Sequence, residues 1–202
     1  YFGVEELRRR PPAADAYICG SDQIWNDRFW YGYDEAYFLQ FGNAEVRRIA
    51  YAPGVPGRKF KNGSPDHLSR LVAGLDSVSV REEIGKAMIR EFCGIEVPIV
   101  LDPTMLLGDF EDELQPVDVP SKFILTYGLS VDSKLCQVEE CSARLREYSG
   151  LPLISISLSG SGRVYSPFEW LWLIKNTELL LTNSYHGLIF ALLFRRNFFV
   201  FP

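Results

Sequence analysis

Short apolar runs alternate with helix-length stretches along most of this 202-residue chain, and no other feature restricts its fold as tightly. Such alternation predicts βαβ units and parallel sheet. Residues 16–19 read as a strand entering a Gly-Ser turn, and residues 48–52 as another, ended by Pro53-Gly54. Ser64 and Pro65 open a helix to about Gly74, with Ser as N-cap and Pro in the first turn. Residues 77–80 form a strand, a helix runs from about Glu82 to Phe92, Gly94 ends it, and residues 97–101 form the next strand.

A break follows. Between Asp102 and Pro120 lie three prolines and six acidic residues around a Met105-Leu106-Leu107 anchor, a composition suited to a linker. The alternation then restarts: strand 123–127, helix 132–148, strand 153–156, helix 167–176, strand 179–181, helix 187–194 and strand 198–201. The expected organisation is an N-terminal α/β domain over 1–108, a linker over 109–120 and a C-terminal α/β domain over 121–202. Two open α/β domains facing one another would place the site in the cleft, outside the carboxyl ends of the strands. Tyr1 is not an initiator methionine and residues 198–202 still read as a buried strand, so both domains are expected to be truncated.

Composition excludes several functions. A net charge of −5 gives no field favouring nucleic acid or an anionic membrane. The four cysteines form no CxxC pair, and His67 and His186 are the only histidines, which argues against a zinc site. Sparse thiols suit the reducing cytoplasm. The longest apolar stretches are too short to span a bilayer.

Three polar segments sit at predicted strand ends. In Gly20-Ser21-Asp22-Gln23-Ile24-Trp25-Asn26, residues Ser21, Asp22, Gln23 and Asn26 carry groups that grip sugar hydroxyls, and Trp25 and Trp30 offer flat apolar faces. The plainer alternative is an Asx-rich turn with a buried tryptophan anchor. In Ser79-Val80-Arg81-Glu82, Arg81 could hold a carboxylate or phosphate by paired hydrogen bonds. A cation beside a helix N-terminus opposes the macrodipole, so an anion nearby would make sense of it; the alternative is a solvated first-turn arginine. In Thr182-Asn183-Ser184-Tyr185-His186-Gly187, one of Thr182, Asn183 and Ser184 can cap the following helix, whose free N–H groups would bind an anion beside His186. A lone histidine is more often structural than catalytic. Asp102 and Tyr127 are further strand-end candidates.

These segments resemble the polysaccharide pyruvyl transferases: the first string, the Ser-x-Arg-Glu segment and the last string all look like that family's signatures, and the likeness extends from about Ala16 to Phe201. The resemblance implies two Rossmann-like, GT-B-like domains. It implies transfer of pyruvate from phosphoenolpyruvate to two hydroxyls of a saccharide or lipid-linked glycan as a ketal, with no cofactor beyond the donor. His186 would be catalytic; Arg81, Ser184 and Gly187 would bind the donor; Ser21, Asp22, Gln23 and Asn26 would bind the acceptor. The setting implied is polysaccharide biosynthesis for the cell envelope, in the cytoplasm or at the inner face of the membrane, with a homo-oligomer among the arrangements it admits. The chain departs from several members at Ser184, where they carry arginine; Arg58, Lys59, Lys61 or Arg163 could compensate from loops, but nothing in their spacing singles one out and solvated surface is the plainer reading of each. Two other readings stay open: a GT-B-like glycosyltransferase using a nucleotide sugar, and a non-catalytic carbohydrate-binding relative.

Overall fold

A computed structural model describes residues 3–29, 33–55, 57, 59–129, 133–157 and 163–201, with the backbone alone for 133–137, 139 and 157. The chain divides into two compact units, Tyr1–Leu106 and Leu107–Pro202. Among the described residues no helix is long and apolar enough to cross a membrane.

The first unit begins with helix α1 (Val4–Arg9) and strand β1 (Ala16–Cys19). A 3-10 turn over Glu35–Phe38 leads to β2 (Arg47–Ala50). Helix α2 (Pro65–Val72), β3 (Ser77–Val78) and α3 (Glu83–Cys93) follow. The strands lie in the order β1-β2-β3, all parallel.

Local chemistry sets the helix limits. The Ser64 hydroxyl accepts the His67 N–H, Pro65 occupies the first turn, and Leu68, Leu71 and Val72 recur at helical spacing to bury one face. Gly94 ends α3 in the left-handed region at φ 72°, where a side chain would be strained. Leu68, Leu71, Met88 and Ile89 pack with Tyr17, Cys19 and Ala50, so both helices cover one face of the sheet. Ile18 points the other way and is 64% exposed.

The expected strand over 97–101 is reduced to one parallel bridge, Val80 with Ile99, closed by Val80 N–H to the Pro98 carbonyl and Val100 N–H to the Val80 carbonyl. Pro98 has no N–H to extend a ladder. The second strand ends at Ala50 rather than Ala52, because Ala52 turns left-handed at φ 55°.

Helix α4 (Thr104–Leu107) spans the boundary between the two units. The second unit holds a 3-10 turn over Glu111–Glu113, β4 (Ile124–Gly128), α5 (Ser133–Ser149), β5 (Leu153–Ser157), α6 (Pro167–Asn176), β6 (Leu179–Thr182), α7 (Tyr185–Leu193) and β7 (Phe198–Val200). Its sheet has the order β5-β4-β6-β7 and is parallel throughout. Leu125 and Leu180 pack with Leu173, Ile174, Phe190 and Ala191, while Ile124 and Leu181 pack with Val138 and Phe201. Helices therefore cover both faces of this sheet, as a doubly wound fold requires. A capping box, Ser166 with Glu169, and Pro167 in the first turn fix the start of α6. The acidic stretch read as a linker contributes Phe110, Leu114, Val117 and Val119 to this core.

Candidate functional site

In the first unit the ends of β1 and β3, the turn after β2 and the end of the 97–101 segment meet in one polar cluster, with Asp102 as its hub. The Asp102 carboxylate is 2% exposed. Its Oδ2 accepts the Ser21 hydroxyl at 2.8 Å and Arg81 Nη1 at 3.0 Å. Its Oδ1 accepts the Thr104 hydroxyl at 2.7 Å and the Thr104 amide at 3.0 Å. Burial alone would raise the Asp102 carboxyl. The hydrogen bonds from Thr104, Ser21 and Arg81 outweigh it and hold the group at about 2.

Arg81 is not the solvated first-turn cation that its position allows. Its side chain is 4% exposed, with Nη1 on Asp102 and Nε donating to Glu82 at 3.2 Å. The anion that the helix start called for is supplied within the chain, by Asp102 and Glu82. Gly54 packs directly against this group: a Cβ there would lie 2.8 Å from the Asp22 carbonyl and 2.9 Å from Arg81 Nη2. Asp22 has φ 68°, bridges to Pro53, and accepts the Gly54 N–H on its carbonyl at 2.6 Å. Two non-glycine residues, Asp22 and Ala52, thus hold left-handed backbone beside Arg81 and Asp102.

The other residues of this loop separate by role. Asp22 is exposed. Asn26, 9% exposed, donates to Gln23 Oε1 at 2.9 Å and accepts the Arg28 amide on its own Oδ1, so these two amides brace the turn. Trp25 is fully buried, stacked on Phe38 with centroids 4.6 Å apart, and donates to the Tyr37 carbonyl. It is a core anchor and presents no face to a ligand; Trp30 lies outside the described residues. Next along the loop, the buried Asp27 Oδ2 accepts the backbone N–H groups of Lys61, Asn62 and Gly63 at 2.6, 3.0 and 3.0 Å.

The second unit carries its own strand-end group. Helix α7 starts at Tyr185, two residues before the predicted start, and Ser184 is its N-cap. His186 therefore lies inside the first turn, half-buried, with its ring edge-on to Tyr185 at 5.3 Å. The Ser184 hydroxyl accepts the Gly187 N–H at 3.2 Å, so these two expected donor-binding residues engage one another. The same side chain hydrogen-bonds the Tyr127 phenol; burial raises that phenol above its ordinary range and the Ser184 bond offsets part of the rise. Thr182, fully buried, donates its hydroxyl to the Tyr127 carbonyl at 2.7 Å and accepts the Ser184 N–H at 3.0 Å. Asn183 accepts the Leu129 N–H at 2.7 Å and donates to the Leu129 carbonyl at 3.1 Å.

Of the cations weighed as substitutes for arginine at position 184, Arg163 pairs with Glu169 at 2.7 Å. Lys59 and Lys61 are exposed, and Arg58 lies outside the described residues. Sequence reasoning did not single out Gly54, Asp27 or Thr104. Thr104 carried a signal, since Asp-Pro-Thr is an Asx turn whose third residue can donate twice to the first. Gly54 and Asp27 did not, because their partners are distant in sequence.

Two parallel α/β units, each with polar side chains gathered at its strand ends, define an α/β protein of the kind that binds ligands at the carboxyl edges of its sheets. The family model for polysaccharide pyruvyl transferases matches residues 2–202, and the chain belongs to that family. No curated protein matches it. Membership makes the chain a transferase of polysaccharide biosynthesis with a saccharide acceptor.

Proposed function

We propose that this protein transfers pyruvate from phosphoenolpyruvate to two hydroxyls of a saccharide as a cyclic ketal, releasing phosphate. The observation that carries the reading is the match of the family model over 2–202, within which His186 sits in the first turn of α7 at the end of β6. The reaction needs a proton on the donor's methylene carbon. A sugar hydroxyl then attacks the adjacent carbon, phosphate leaves, and a second hydroxyl closes the ring. Two hydroxyl protons are released; one restores the acid and the other leaves with phosphate.

His186 is assigned the proton, as an acid-base side chain in the first turn of α7 at the end of β6. The donor's anionic groups are assigned to the start of α7 at Ser184 and Gly187; Arg81, buried on Asp102 and Glu82, is assigned to shaping the strand ends of the first unit. The acceptor is assigned to the loop 20–26, with Asp22 as the exposed contact, Ser21 fixed by Asp102, and Gln23 and Asn26 bracing the turn. A second reading, a non-catalytic saccharide-binding relative, is favoured by Ser184. That residue is a buried cap hydroxyl and adds no charge at the place where several members of the family carry arginine.

One experiment separates these readings. Phosphoenolpyruvate and nucleotide sugars are screened by thermal shift, and phosphate release is then followed with a panel of free and lipid-linked saccharides. Phosphoenolpyruvate should raise the melting temperature, and a saccharide should trigger phosphate release. His186→Gln should bind donor as before and lose about 10²–10⁴-fold in kcat. Full turnover in folded His186→Gln would remove the proton role. Saccharide binding without phosphate release would favour the binding relative, and a shift with nucleotide sugars alone would favour a glycosyltransferase.

A further inference from the structure

We infer that Thr182 is a positioning residue for His186, acting through the first turn of α7; the inference rests on the catalytic assignment of His186 above. The hydroxyl of Thr182 ties the end of β4 to the backbone of the residue capping that turn. It donates to the Tyr127 carbonyl at 2.7 Å and accepts the Ser184 N–H at 3.0 Å, so both of its hydrogen-bonding functions run to backbone. Ser184 in turn caps α7 through Gly187 N–H, and His186 lies between those two residues.

The contact to the helix is equally close. A Cβ on Gly187 would sit 2.7 Å from Thr182 Oγ1 and 3.2 Å from its Cγ2, so the backbone of the first turn rests on the Thr182 side chain. Thr182 itself is 0% exposed and is held in register opposite Tyr127 in the sheet. It cannot move without moving either the sheet or the turn. Asn183 adds a second tie between the same segments, its carboxamide exchanging two hydrogen bonds with the backbone of Leu129. Helix-start positions set by such fixed partners hold a side chain to the tolerance that catalysis needs; a displacement near 1 Å can cost about 100-fold in rate.

Thr182 is too buried to touch a substrate, so its effect must pass through His186. Thr182→Val keeps the shape and removes both hydrogen bonds, whereas Thr182→Ser keeps the hydroxyl and loses a methyl group. Because the chain has two histidines, the imidazole resonances of His186 are assigned by comparison with His67→Gln. This readout needs neither substrate nor turnover. In the valine variant the His186 resonances should move while those of His67 stay; the serine variant should resemble the parent.

With the saccharide that supports phosphate release, Thr182→Val should lower kcat about 10–100-fold with KM for phosphoenolpyruvate within about twofold, and Thr182→Ser should restore most of it. Unmoved His186 resonances in a folded valine variant would overturn the inference, as would equal losses in the valine and serine variants. Should the valine variant not fold, Ser184→Ala tests the same path, and parental His186 resonances there would overturn it. Failure of the catalytic reading looks different. His186→Gln would then keep full turnover, whatever Thr182→Val does to the spectrum.

Discussion

At the scale of single residues, Asp102 carries the most testable physics. Its folded value of about 2 lies below the ordinary 3.8, so its contribution to stability is complete above the ordinary value and is lost as pH falls from 3.8 towards 2. The shift corresponds to about 2 kcal/mol. Chemical denaturation across that window should show Asp102→Asn destabilised at pH 6, with the gap to the parent narrowing towards pH 2. Parallel acid profiles would rule out Asp102 as the source. Arg81→Ala should be worse, because it leaves a buried carboxylate without its cation; about 3–5 kcal/mol is expected. A loss of donor binding in that variant means little unless the protein is shown to be folded. Arg81 and Asp102 were both visible in the sequence as strand-end residues. That they neutralise each other was not, since they stand 21 positions apart and no local pattern links them.

At the scale of elements, two helical glycines give opposite expectations. Alanine is favoured over glycine inside a helix by about 1 kcal/mol. In α3, a Cβ on Gly85 would crowd Val80 slightly at 3.3 Å and meet Val55 in ordinary contact at 3.5 Å, so the crowding should offset the propensity gain and leave Gly85→Ala near neutral in a melting curve. In α7, a Cβ on Gly187 would press against the buried Thr182 at 2.7 Å, and overpacking of this kind costs about 1–3 kcal/mol. Gly187→Ala should therefore destabilise despite the better propensity; a stabilised variant would show that the first turn can slide. The start of α7 was misread by two residues for a related reason. Periodicity sees the apolar run from Leu188 onward, but the cap hydrogen bond from Gly187 to Ser184 places the first turn earlier. The helices α2 and α6 were legible at their starts because Ser-Pro announces cap and first turn together.

At the scale of the whole molecule, alternation was enough to indicate parallel α/β sheet, and both observed sheets are parallel. It could not yield the strand order β5-β4-β6-β7, which depends on which apolar faces meet. Acidic residues and prolines drew the stretch 109–120 as a linker, yet its spaced apolar side chains Phe110, Leu114 and Val117 pack into the second core. Composition averages over such spacing. Trp25 shows the same limit at the site: its sequence neighbours are polar, but its partner is Phe38. The clamp made by Asp27 has a consequence for how the molecule exchanges its amide hydrogens. Slow exchange is expected in β1, β2 and β4 to β6, as in any paired strand. The amides of Lys61, Asn62 and Gly63 belong to no helix or strand, yet all three donate to one buried carboxylate oxygen. A deuterium-exchange map should therefore show a protected island at 61–63 inside an otherwise fast-exchanging loop, and Asp27→Ala should release those three amides to exchange at the pace of their neighbours.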